Sequence, residues 1–191
     1  MNTADSPGSV LANLNKKGLN LIDAGKYESA IAIFSEALGH ALSLGPTDAA
    51  GILYNRAEAF RLSGNLASAK ADILKALEFS SEDADIMHAM GLVCYEEDNF
   101  EEAAAWYRKA IDFAPRHEKA WNDLGVIHFR KGEYESARRS FEKAVSINPD
   151  FADAWFNLAD TYDELGLKAE YRRALEALNT ARMHVAEKDI L

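Results

Sequence analysis

Five histidines and a single cysteine are the residues of this chain with the clearest claim to metal chemistry. His88 and Cys94 stand six residues apart, which on a helix is about 240° around the axis, so the two do not share a face. No Cys-x2-Cys, His-Glu-x2-His or His-x3-His spacing is present, so the chain has no sequence case for a metal. Nucleotide chemistry fares no better, because there is no Gly-x4-Gly-Lys-Ser/Thr and no Gly-x-Gly-x2-Gly after a strand. No Gly-x-Ser-x-Gly marks a nucleophile. Carboxylates crowd the stretch EEDNFEE at 96–102, which reads as a solvated acidic turn whose charges complement the start of a helix. The expectation is a protein that is not an enzyme and carries no cofactor.

The totals narrow the class further. At 191 residues, 48% hydrophobic and 27% charged, the chain suits one globular domain with a sizeable core. A net charge of −10 disfavours nucleic acid and anionic membrane surfaces, whose phosphates must be met by clustered Lys and Arg. One cysteine makes no internal disulfide. The first residues, MNTADSPGSV, show neither a basic nor an apolar region of a secretory signal. No apolar run approaches the roughly 18 residues of a spanning helix. The terminal Lys-Asp-Ile-Leu is not read as an endoplasmic-reticulum retention signal without an entry signal. A cytoplasmic location is expected.

The elements that would position any site emerge from an internal period. Ala69, Ala103 and Ala137 lie 34 apart, as do Ala76, Ala110 and Ala144, Gly91 and Gly125, Trp121 and Trp155, and Pro115 and Pro149. GKYESAIAIFSEAL at 25–38 returns as GEYESARRSFEKAV at 132–145, an offset of 107, which is three periods and a remainder of five. The remainder falls in LGHALSLGPTDAA, where Ile31, Phe34, Leu38, Ala41 and Leu42 continue a helical spacing until Gly45-Pro46. An added turn on the second helix of the first unit is expected. Units fall at about 11–49, 50–83, 84–117, 118–151 and 152–187, within one domain over 9–187. Residues 1–8 are expected to be disordered and 188–191 frayed.

Each unit carries two amphipathic stripes around a turn. In the fourth, Trp121, Leu124, Gly125 and His128 form one stripe and Tyr134, Ala137, Phe141 and Ala144 the other, with Gly132 between. No sustained alternation of β-branched residues predicts a strand. In the fifth, Tyr171, Leu175, Leu178, Ala181 and Val185 extend the second stripe into a terminal cap.

WNDLGVIH from Trp121, ARRSF from Ala137, then Ala144 and Pro149 resemble the tetratricopeptide repeat. MHAMGLVC from Met87, Ala103, Tyr107, Ala110 and Pro115 repeat the likeness, which covers about 11–180. Unit two departs with Ala57 for Gly and Ile73 for the aromatic residue; unit five departs with Ala159 and with Tyr171 where a small Ala belongs. Cys94 and His128 occupy the position where the family usually has Tyr, which makes both packing residues.

The resemblance implies an all-α, right-handed α-solenoid of stacked antiparallel helix pairs, about five units and a capping helix. It further implies a protein-binding scaffold whose first helices line a concave groove. The positions that face the groove in the family are held here by Asn15, by Tyr54, Asn55 and Arg61, and by His88 and Tyr95. Asn122, Phe129 and Arg130 follow in unit four, and Phe156, Asn157 and Asp160 in unit five. Aromatics offer area at low entropic cost and amides can pair with a peptide backbone, so a peptide or helical segment of another protein is the expected partner. Asp153, Asp160 and Asp163 bias it toward a basic and apolar segment.

Some members clamp a chaperone's C-terminal carboxylate with Lys, Asn and Arg. Only Asn55 matches that pattern; Asn15 and Leu19, then Asp85 and Ala89, replace the other positions, so this activity is not expected here. Self-assembly through end surfaces, with Met183, Val185, Ile190 and Leu191 near the terminus, is the alternative.

Overall fold

The computed structural model describes residues 6–188. Ten helices run in order: α1 Pro7–Asp23, α2 Tyr27–Leu44, α3 Pro46–Leu62, α4 Leu66–Phe79, α5 Ala84–Glu96, α6 Phe100–Phe113, α7 Glu118–Arg130, α8 Tyr134–Ile147, α9 Ala152–Glu164 and α10 Lys168–Lys188. No strand occurs among the described residues, and the fold is an α-solenoid of helix pairs. The chain divides into two compact units, Met1–Ala103 and Ala104–Leu191, with the boundary inside α6. In the first unit α1 packs on α2 and α3, and α3 on α4 and α5; in the second, α7 packs on α8 and α9, and α9 on α10.

The remainder of five is shared between two helices. Helix α2 has 18 residues where α4 and α8 have 14, and α3 has 17 where α5, α7 and α9 have 13. Each has thus gained about one turn. The connecting loop shrinks from the four residues Ser80 to Asp83 to the single Gly45, which leaves a net gain of five. Gly45 closes α2 by donating its N–H to Ala41 O and opens α3, whose first residue is Pro46. Proline suits that place, since its missing N–H would have no helical partner. The sequence placed the whole insertion on α2; half of it lies on α3.

Helix α1 also starts a turn earlier than expected. The Ser6 side chain accepts a hydrogen bond from the Ser9 N–H at 3.2 Å and Pro7 follows it, so residues 7 and 8 are helical, not disordered. Residues 1–5 and 189–191, with the expectations placed on them, lie outside the described residues.

The cores are built by one repeated contact between paired helices. A Cβ added to Gly125 would stand 2.6 Å from a ring carbon of Phe141, which is 1% exposed. Gly18 holds the same relation to Phe34. Where the first helix carries alanine instead, an aliphatic residue stands 16 positions on: Ile73 after Ala57 and Leu175 after Ala159. The added methyl is matched by a slimmer partner, which keeps interior volume nearly constant.

Helix α10 runs to 21 residues, as the terminal stripe implied. Its buried row is Ala174, Leu178 and Ala181; Tyr171 and Leu175 are half-buried. The buried row thus opens on the small Ala174 rather than on Tyr171, which is too large for a close-approach position. The Val185 side chain lies outside the described residues. In the turn of the third pair Asp98 adopts φ 58°, where Gly25, Gly64, Gly132 and Gly166 stand in the others.

Candidate partner-binding face

In the first unit the first helices are tied by an amide pair. Asn55 Nδ2 on α3 donates to Asn15 Oδ1 on α1 at 2.8 Å. Both asparagines border an open cleft of about 790 Å³ between the added turns of α1 and α3, walled by Gly8, Leu44, Gly51 and Ile52. Tyr54 is partly buried, and burial together with Asp85 and Glu58 pushes its phenol pKa up. Tyr95 packs its ring edge to face against Phe100 at 5.3 Å between centroids.

Two residues expected to face a ligand here are committed elsewhere. Arg61 donates through Nε and Nη2 to Glu58 at 2.9 and 2.6 Å, and through Nη1 to Glu96. These partners raise its already high pKa, and the cation is neutralised by the protein itself. His88 is 7% exposed and belongs to the interior of α5.

The second unit repeats the amide pair. Asn157 Nδ2 on α9 donates to Asn122 Oδ1 on α7 at 3.0 Å, and Asn122 Nδ2 donates to Asp123 at 3.0 Å. Asn122 is 6% exposed, so it spaces the helices rather than meeting a ligand. Beside it, Phe129, Arg130, Asn157 and Asp160 converge with Val126 and Phe141 on a half-open hollow. Four residues named from sequence are thereby brought to one place. The Phe129 ring is braced by Tyr134 at 5.2 Å. Phe156 stands 48% exposed. Burial, with Asp163 and Glu164 nearby, pushes the Asp160 carboxyl above the usual carboxylate range.

Several partnerships escaped the sequence. Arg56 forms a bidentate pair with Asp72 at 2.7 and 2.8 Å, with the Asp72 side chain only 9% exposed, and also reaches Ser35. Trp121 and Trp155 donate their indole N–H to Pro115 O and Pro149 O at 3.0 and 2.9 Å, clipping each turn to the helix after it. Their shared 34-residue spacing was the available signal. The acidic turn is structural: Glu97 and Glu102 both approach Lys70, and Asn99 accepts from the Glu102 N–H while donating to its carboxylate. His128 lies 2.5 Å from Glu133. Cys94 is fully buried, and burial pushes its thiol pKa to about 11. Among the described residues no group of three or more His, Cys, Asp or Glu forms a metal site, and no helix is long and apolar enough to cross a membrane.

Paired helices repeated at 34 residues, with a bordered face on their first members, define a helical-repeat scaffold. The chain belongs to the tetratricopeptide-repeat family: models described as TPR repeat match 91–132 and 127–166, and others described as tetratricopeptide repeat match 15–85 and 152–182. The fold is thus that of a protein–protein interaction scaffold. No curated protein is matched. Solved structures are matched over most of their length. BtubC from P. vanneervenii is 20% identical with a TM-score of 0.79, over 95% of this chain and 84% of that one. Pseudomonas aeruginosa pilF is 21% identical with a TM-score of 0.78, over 92% and 78%. YrrB, a TPR protein with an unusual peptide-binding site, is 20% identical with a TM-score of 0.60, over 93% and 91%. At such identities the likeness is one of fold.

Proposed function

We propose that this protein is a non-enzymatic, cytoplasmic adaptor that holds a peptide or helical segment of a partner protein along the face of its first helices. The observation that carries this reading is the hollow between α7 and α9, where Phe129, Arg130, Asn157 and Asp160 meet, together with the exposed Phe156 that adjoins Asn157 on α9. An exposed aromatic ring next to a small apolar recess, ringed by amide and charged groups, is the composition of a binding hot spot. YrrB supports the reading as a protein of the same fold with a peptide-binding site.

A photo-crosslinking residue placed at Phe156, and separately at the exposed Leu74 of α4, tests it in the source cells. Adducts from 156 and none from 74 are the expected outcome. Adducts from 74 alone would move binding to the second-helix side.

Self-assembly is the second reading, favoured by α10. That helix exposes Met183 to 58% together with Arg172, Arg173 and Arg182. A mass that rises with concentration in light scattering, and stays monomeric after Met183→Glu, would establish it.

A further inference from the structure

Helix α9 holds four carboxylates, Asp153, Asp160, Asp163 and Glu164, and no lysine or arginine. All four are exposed, and among the described residues none is ion-paired; Glu164 accepts from the Tyr134 hydroxyl. Asp153, Phe156, Asp160 and Asp163 follow at spacings of three, four and three, which makes one row on the helix surface. An exposed phenyl ring is therefore flanked a turn away on both sides by carboxylates. We propose that this row binds an arginine of the partner segment, its guanidinium lying on the Phe156 ring between the Asp153 and Asp160 carboxylates, while an adjacent apolar side chain of the partner enters the hollow against Val126 and Phe129. The inference rests on the partner-binding reading of this face.

Charge complementarity selects the occupant. Burial first, and then repulsion from Asp163 and Glu164, holds the Asp160 carboxyl above its ordinary range, and a cation set among these acids relieves the repulsive part. Acidity alone is not the criterion, because the other acidic stretch of the chain is already engaged. There Glu96 meets Arg61, Glu97 and Glu102 meet Lys70, and the Asp83 side chain caps α5. Arginine fits better than lysine for two reasons. A planar, weakly hydrated guanidinium stacks on an aromatic face, and its fork of donors reaches two carboxylates at once. A divalent cation is a poor candidate, since no metal-holding group of acids forms among the described residues. The lining of the hollow includes Val126, Phe129 and Phe141, which suits an aliphatic neighbour of the arginine.

The test uses fluorescence anisotropy with the full chain and three labelled peptides: alternating Leu and Arg, the same with Lys, and the same with neutral citrulline. The arginine peptide is expected to bind, the lysine peptide several-fold more weakly, and the citrulline peptide at least about tenfold more weakly. Asp160→Asn with Asp163→Asn should weaken the arginine peptide about tenfold, and Phe156→Ala by a similar factor. A control of equal charge change, Glu82→Gln with Asp98→Asn, should leave it within about twofold. Circular dichroism confirms that each variant is folded. Equal binding of the citrulline peptide, or equal loss in the control pair, would overturn the arginine site. So would adducts at Phe156 in cells together with an arginine peptide that does not bind, an outcome that leaves the adaptor reading standing. Absence of both adducts and peptide binding would sink the two together.

Discussion

The first-helix faces of the two units treat their charges in opposite ways. On α3 and α5, Arg61 is held by Glu58 and Glu96, and on the α3 and α4 pair Arg56 is held by Asp72. Acid and base are matched within the fold, and their removal should be felt as lost stability. On α9, four carboxylates make no ion pair among the described residues, on a helix that carries an exposed ring. Removal of Asp160 or Asp163 should cost no stability and should be felt in binding. A charge left unmatched in the folded chain is a charge available to something else.

The largest expected break in this contrast is Asp72→Ala. It leaves the Arg56 guanidinium, 18% exposed, without its bidentate partner. A loss of about 3 kcal/mol is expected in urea denaturation; a loss no greater than that of a surface change would show that the compact unit Met1–Ala103 is not self-matched. Second is Gly125→Ala, where the new methyl meets Phe141. Overpacking outweighs the gain in helix propensity, for a net loss of about 1–2 kcal/mol. Adding Phe141→Ile imports the Ala57 and Ile73 arrangement of α3 and α4 and should restore most of it, as thermal melts would report. Third is Asp98→Gly, which gives the α5–α6 turn the residue found in the turn after α7 and should stabilise by about 1 kcal/mol.

The smallest effect is the most informative about α9. Asp160 holds its proton more tightly folded than unfolded, so its ionisation favours the unfolded state. The cost is absent below the unfolded carboxylate's range and complete once pH rises through the raised folded value. Asp160→Asn should therefore raise the melting midpoint slightly at pH 7, and the two proteins should converge at acid pH. A lower midpoint at pH 7 would mean that Asp160 has a stabilising partner.

Much of the fold was legible because its signals are covalent and periodic. Gly125 predicts a close approach, and Phe141 sixteen residues on is what approaches it. The geometry of the candidate site was legible only where the backbone alone decides position, as for Phe129, Asn157 and Asp160 around one hollow. Arg61 sits at an equally apt position, but its fate depends on Glu96, which is 35 residues away and chosen by side-chain reach. Asn122 and His88 lie at the right register on their helices yet turn inward. The added turn of α3 is hidden in the sequence because Pro46 fits both the stop after one helix and the first residue of the next.

The indole links to Pro115 and Pro149 have an optical corollary. All three tryptophans, Trp106, Trp121 and Trp155, fall in the second unit, and the single thiol, buried Cys94, falls in the first. Ultraviolet emission therefore reports the unfolding of one unit, and trapping of Cys94 by a thiol reagent reports the other, with no label introduced. Coincident midpoints would show that the two units melt as one cooperative body; separated midpoints would order them in stability.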